Sequence, residues 1–186
     1  LYVHLPWCER KCPYCDFNSH EHFDASREFA YIDTLLQDLE LQQDKTEVTP
    51  LQSIFIGGGT PSLFSPSAIE CLLSGIASRY PMVEDIEITL ESNPGSADQS
   101  RFQGYRQAGV TRLSLGVQSF DDAALQALGR IHDSNQARAA LDAALAVFPR
   151  VNPDLMHGLP EQSPASAVND LRQALAQGVE HLSWYQ

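Results

Sequence analysis

The chain has 186 residues, 43% hydrophobic and 19% charged, and its 12 Lys and Arg against 24 Asp and Glu leave a formal net charge of −12. That length suits one domain able to bury ~70% of the surface its unfolded chain exposes, and the composition is that of a folded rather than a disordered chain. So acidic a balance repels phosphate backbones and anionic lipid headgroups, and no apolar run reaches the ~20 residues of a membrane span.

Short apolar runs alternate with helical stretches along the chain. Leu1–Leu5 opens it and leads directly into three closely spaced thiols, Cys8, Cys12 and Cys15. Phe29, Ile32, Leu36 and Leu39 then share a helical face, with Asp38, Glu40 and Asp44 on a solvated one. The second run, Leu51–Ile56, ends at Gly57-Gly58-Gly59-Thr60. Ser65-Pro66 signals a helix start, a capping hydroxyl followed by proline at the first helical position, and Ile69, Leu72, Leu73 and Ile76 form that helix's apolar face. Cys71 sits in this face and reads as a buried, inert thiol. Asp85–Leu90 is the third run, followed by Glu91, and Gly109 stands where a left-handed residue closes a helix before the fourth run, Arg112–Val117. Leu141, Ala144, Leu145 and Phe148 precede the fifth run, Arg150–Met156. Ser163-Pro164 starts a last helix with Val168, Leu171 and Leu175 on one face, closed by Gly178 before the sixth run, His181–Tyr185.

Strands apolar throughout and separated by helices predict a parallel α/β sheet covered on its outer face. Thr60, Glu91, Gln118, Asp154 and Gln186 fall at the C-terminal ends of successive strands, and the thiols follow the first. A doubly wound sheet concentrates its site at one switch point, whereas a barrel collects residues from nearly every strand end around one mouth. The even distribution predicts an open (β/α)6 partial TIM barrel. Pro153 within the fifth strand is unexpected, because proline removes a ladder donor, and it bears on the aim of Asp154. The chain opens on Leu1 rather than Met and stops inside an apolar run at Gln186, so it reads as a piece of a longer protein.

Bunched thiols in a chain with an adequate core point to metal binding in a reducing compartment rather than to a disulfide framework. Cys8-Glu9-Arg10-Lys11-Cys12-Pro13-Tyr14-Cys15 is a CxxxCxxC, a spacing that can wrap three corners of an iron–sulfur cube and leave one iron without a protein ligand. The alternative is a Cys3His zinc site completed by His4, His20 or His22; zinc motifs usually pair two close ligands with two distant ones, and no second pair appears.

The string Tyr2-Val3-His4-Leu5-Pro6 before that motif, with Gly57-Gly58-Gly59-Thr60-Pro61-Ser62 after it, resembles the radical S-adenosylmethionine (SAM) superfamily. Leu115-Gly116-Val117-Gln118-Ser119-Phe120, Gly129-Arg130-Ile131-His132 and Asp154-Leu155-Met156-His157-Gly158-Leu159-Pro160 resemble the oxygen-independent coproporphyrinogen III oxidase-like proteins within it. The match runs in unbroken order from Tyr2 to Gln186. It implies that residues 1–186 are a radical SAM core domain, with a further C-terminal domain beyond it. It implies a [4Fe–4S] cluster on Cys8, Cys12 and Cys15, with SAM on the fourth iron, cleaved on one-electron reduction to methionine and a 5′-deoxyadenosyl radical. By the same resemblance Tyr2, Tyr14, Gly58, Gly59, Thr60, Glu91, Gln118, Arg130 and Asp154 match SAM-contacting positions; Gln118, Arg130 and Asp154 belong to the set that holds a second SAM in some relatives. The glycines then offer backbone N–H groups to SAM's methionine end, a tight turn being the alternative, and Glu91 accepts from its ammonium group. Arg130 otherwise reads as a cation on a helix C-terminus. Trp7 and Phe17 flank the thiols and suit shielding a cluster from water.

The coproporphyrinogen dehydrogenases extend the motif to CxxxCxxCxC; here Phe17 fills the added thiol's position. Asp16-Phe17-Asn18-Ser19-His20, with Asp154-Leu155-Met156-His157, resembles instead the HemW-type haem chaperones, which bind haem and deliver it to haem-requiring membrane enzymes. The resemblance therefore implies haem as a third cofactor of the intact protein, haem-requiring acceptor proteins and an electron donor as partners, a cytoplasmic location with transient membrane association, and no nucleic acid. The alternative is an anaerobic coproporphyrinogen III oxidase (dehydrogenase). His157, and likewise His20 and His22, reads as a hydrogen-bonding residue, with haem ligation as the alternative.

Overall fold

Each of the six apolar runs is a strand in the computed structural model, which describes residues 1–43 and 49–186. The strands are β1 (Tyr2–Leu5), β2 (Leu51–Gly58), β3 (Met82–Ser92), β4 (Arg112–Gln118), β5 (Arg150–Met156) and β6 (Ser183–Tyr185). They form one sheet in the order β1-β2-β3-β4-β5-β6, every neighbouring pair parallel. β1 and β6 are the two edges and do not pair, so the sheet is an open (β/α)6 partial barrel.

The helices are α1 (Glu28–Gln43), α2 (Pro66–Ala77), α3 (Ser96–Gln99), α4 (Phe102–Gln107), α5 (Asp122–Ala127), α6 (Ser134–Val147) and α7 (Pro164–Ala176). Ser65 and Ser163 cap α2 and α7 by accepting the Ala68 and Ser166 N–H groups, each with proline next in the chain. Gly109 and Gly178 take the positive φ expected of them. Among the described residues no helix is long and apolar enough to cross a membrane.

The strands are not apolar throughout, as expected from sequence; they alternate. Ile54 and Ile56 of β2, Leu113, Leu115 and Val117 of β4, and Leu155 of β5 pack outward with Ile32, Leu72, Ile76 and Leu141 from the helices. Burying each such side chain is worth about 1.5–3 kcal/mol. The opposite, inward face carries Arg112, Ser114, Gly116 and Gln118 from β4, and Asn152 and Asp154 from β5. A closed barrel fills that space with apolar layers; here its lining is polar.

Two helical faces differ from expectation. On α7 the buried residues are Ala167, Asp170 and Ala174, while Val168 and Leu175 stand 38% and 59% exposed. The carboxylate of Asp170 accepts from Ser119 Oγ at 2.7 Å and from the Phe120 N–H at 2.9 Å, and the alanines beside it let the helix lie close. On α1, Ile32 and Leu36 are buried but Phe29 is exposed. Asp38 and Glu40 are solvated as expected, Glu40 pairing with Arg79; Asp44 lies outside the described residues. Cys71 is half-buried against the core rather than fully enclosed.

Pro153 does not interrupt β5. It faces Leu115, and the register between β4 and β5 then shifts before Gln118 meets Leu155, so β4 carries one extra residue beside the missing donor. Gln118 ends that bulge with φ +65°.

Candidate functional site

The C-terminal ends of the strands open onto a cavity of about 380 Å³. Cys8, Cys12, Tyr14, Cys15, Gly58, Gly59, Thr60, Glu91, Gln118, Arg130 and Asp154 all line it, so eleven of the twelve residues assigned by resemblance come together. Tyr2 stands outside the lining, its ring against Phe55 and its hydroxyl on His4 Nδ1 at 2.9 Å. Gln186 also lies outside, against Gly158.

The cysteine loop leaves β1 and is pinned at both ends. The His20 N–H donates to Pro6 O at 2.7 Å and the Cys8 N–H to His20 O at 2.8 Å. His4 Nε2 meets Asn18 O at 2.9 Å. Both ring nitrogens of His4 are thus engaged, which removes it as a fourth zinc ligand; His20 and His22 are exposed. The loop's middle reaches across the opening. Tyr14 packs on Leu128, Met156 and Leu159, and Pro13 meets Gly129, where a Cβ would come 2.9 Å from the proline Cδ.

The glycine run works differently from the expectation that its N–H groups face a ligand. Gly58 N–H donates to Glu91 Oε2 at 3.0 Å, Gly59 N–H to Leu5 O at 2.8 Å, and the Thr60 N–H to Trp7 O at 2.6 Å. These donors are spent within the protein. The missing side chains serve close packing instead: a Cβ on Gly59 would stand 2.5 Å from Trp7 O. Trp7 itself turns into an aromatic cluster with Phe23, Tyr31 and Phe64, whereas Phe17 lines the cavity and is 60% exposed.

Burial pushes the Glu91 carboxyl up to about 7, against the Gly58 hydrogen bond that lowers it, with Asp154 raising it further. Burial also raises Asp154, countered by Ser114, Ser183 and Asn152. Asp154 accepts from Ser114 Oγ at 2.9 Å and Asn152 Nδ2 at 2.8 Å, and Asn152 also donates to Ser183 Oγ at 3.0 Å. Arg130 does not stay on its helix end: Nη2 donates to Asn93 Oδ1 at 2.7 Å and Gly116 O at 2.8 Å, and Nη1 approaches Cys12 Sγ at 3.6 Å. The His157 ring lies 4.6 Å from that of Trp184.

Asn93, Arg112, Ser114, Asn152, Ser183 and Tyr185 also line the cavity and were not singled out in the sequence. The polar alternation Arg112-Ser114-Gly116-Gln118, repeated in Asn152 and Asp154, is the signal that finds the β4 and β5 members.

The cavity fits a polar, metal-bearing group. Three thiols, the donor type that iron–sulfur clusters take, line it. Gln118 Oε1 and Arg130 Nε are buried there and find no partner among the described residues, an arrangement that costs free energy unless a ligand supplies one.

The profile of the radical SAM superfamily matches residues 2–174. The chain is 50% identical over 191 residues to the haem chaperone HemW of Haemophilus influenzae and 49% identical over 187 residues to that of Escherichia coli strain K12. Each alignment covers 100% of this chain and 50% of the relative, so the chain spans about half the length of the curated relatives it matches. Among solved structures, coproporphyrinogen III oxidase (HemN) from Escherichia coli superposes with a TM-score of 0.87 at 28% identity, over 99% of this chain and 43% of that one.

Proposed function

This chain belongs to the radical SAM superfamily, and from that premise we propose that it is the cluster- and SAM-binding core of a haem chaperone. Cys8, Cys12 and Cys15 hold a [4Fe–4S] cluster, and Tyr14, Gly58, Gly59, Thr60, Glu91, Gln118, Arg130 and Asp154, which line the same cavity, hold SAM. A cluster with SAM on its open iron supplies one-electron chemistry that no side chain of the protein can provide. The chain's own residues do the rest. Glu91 would accept from SAM's amino group and, on doing so, give up the proton that burial makes it keep. Gln118 Oε1 and Arg130 Nε gain the partners they lack. Tyr14 and Phe17 exclude water at the mouth, and the Ser114–Asn152–Ser183 network keeps Asp154 oriented.

Phe17 carries the choice between chaperone and oxidase. It occupies the position of the added thiol in the dehydrogenase motif, lines the cavity, and presents an exposed apolar ring where that chemistry has sulfur. The 50% identity to a haem chaperone, against 28% to the oxidase, supports the same choice. In the whole protein, haem is then bound and passed to haem-requiring acceptors, an electron donor serves the cluster, and the site of action is cytoplasmic with transient membrane contact.

Anaerobic reconstitution of the whole protein, followed by haem titration and product analysis with dithionite, SAM and coproporphyrinogen III, tests this reading. Haem binding without protoporphyrinogen is the expected result. Stoichiometric conversion to protoporphyrinogen overturns it in favour of the oxidase.

A further inference from the structure

Of the three loop sulfurs, Cys12 alone among the described residues receives a charged side-chain donor, Arg130 Nη1 at 3.6 Å. The guanidinium is not free to leave. Its Nη2 is held by Asn93 Oδ1 at 2.7 Å and Gly116 O at 2.8 Å, and Asn93 is itself anchored by donating Nδ2 to Thr60 Oγ1 at 3.0 Å. The backbone delivers it as firmly: the Arg130 N–H donates to Leu125 O at 2.9 Å, and the Gly129 turn at φ +71° lies against Pro13, next to Cys12 in sequence. A cation is thus fixed on one ligand sulfur by segments following β2, β3 and β4.

We propose that Arg130 sets how readily the cluster accepts an electron, by donating a charge-assisted hydrogen bond to the Cys12 sulfur. The inference rests on the cluster reading above and adds to it a role for Arg130 that does not depend on SAM. An iron–sulfur cube with three thiolates is negatively charged, and one more electron deepens that charge. A hydrogen bond and a positive charge at a ligand sulfur stabilise the reduced state more than the oxidised one, which raises the reduction potential. The event is one electron entering the oxidised cluster from an external one-electron reductant; no bond in the protein is made or broken.

The test compares wild type, Arg130→Lys and Arg130→Met of the whole protein, reconstituted anaerobically and poised electrochemically without SAM, with the reduced cluster followed by electron paramagnetic resonance. In Arg130→Met the ratio of reduced to oxidised cluster at a fixed potential should fall about tenfold, equivalent to about 59 mV for a one-electron couple. Arg130→Lys keeps the charge but not the fork geometry and should fall less. Electron–nuclear double resonance should detect an exchangeable proton coupled to the wild-type cluster that is missing from Arg130→Met. A fully loaded Arg130→Met cluster with wild-type midpoint and proton coupling overturns the proposal while leaving the cluster reading intact. If Arg130→Met does not hold its cluster, a wild-type midpoint in Arg130→Lys overturns the proposal. Failure of wild type to assemble any cluster overturns both readings, and iron and sulfide content identifies that case.

Discussion

Glu91 Oε2 accepts the Gly58 N–H at 3.0 Å, from a carboxyl that burial holds protonated up to about pH 7. The folded value lies above the ordinary 4.5, so the cofactor-free fold takes up a proton there as it forms. Its contribution to stability is fully present below pH 4.5 and is lost as pH rises through 7. At ~1.4 kcal/mol per pH unit, the swing is at most roughly 3 kcal/mol. Urea unfolding of wild type and Glu91→Gln at pH 5 and pH 8 measures it: wild type should lose stability relative to the variant at the higher pH.

The same carboxyl predicts proton release when a cation binds. Calorimetry of SAM binding to the clustered protein at pH 6, repeated in buffers of different ionisation enthalpy, should show close to one more proton released by wild type than by Glu91→Gln, a difference that shrinks at pH 8. Since a hydrogen bond to a charged group is worth about 1.5–3 kcal/mol, Glu91→Ala should bind SAM roughly 10- to 100-fold more weakly.

Gly59→Ala should damage the cysteine loop more than Gly129→Ala does. The new Cβ would meet the fixed Trp7 carbonyl at 2.5 Å in the first case and the Pro13 ring at 2.9 Å in the second. Overpacking of this kind costs about 1–3 kcal/mol. Iron content after reconstitution, set beside the melting temperature of the cofactor-free protein, should fall furthest for Gly59→Ala.

Asp170→Ala leaves Ser119 Oγ and the Phe120 N–H without their acceptor in a place only 2% exposed. At about 1–3 kcal/mol for each stranded group, denaturation should show a loss of several kcal/mol. Leu175→Gln, on the exposed side of the same helix, should change stability by less than about 0.5 kcal/mol.

Cys71→Ser should leave the cluster intact, because Cys71 packs against the core and does not line the cavity. Alanine at Cys8, Cys12 or Cys15 should abolish or cripple cluster assembly, as read from visible absorption and sulfide content.

The strands were legible because their outward residues are apolar and bounded by glycine, proline or polar residues. The α7 contacts were not. Val168, Leu171 and Leu175 carry the apolar spacing, but the helix is turned by Asp170, whose partners lie some 50 residues away in a turn that sequence does not place beside it. The site was legible at its motifs, since Cys8, Cys12, Cys15, Glu91, Gln118 and Asp154 are unusual residues at strand ends. What Arg130 touches was hidden for the reason that hid Asp170: Cys12 is 118 residues distant. The use of the Gly58 and Gly59 donors became visible only once Glu91 and Leu5 were placed beside them.

A sheet whose spatial order repeats its chain order sets an order of assembly. Every strand pair joins neighbours along the chain, so formation can begin at any of them and spread as a ladder gains rungs, each pairing closing a loop as short as Thr89 to Arg112 or as long as Tyr2 to Phe55. The cysteine loop is different. It starts from β1, but Tyr14 needs Leu128, Met156 and Leu159, and Pro13 needs Gly129, so its seat exists only after the far side has formed. Its docking is therefore expected to follow formation of the strands and turns that make its seat. Stripping the cluster with a chelator should reverse that last event first: hydrogen exchange quickens across residues 8–20 while β2 to β5 stay protected.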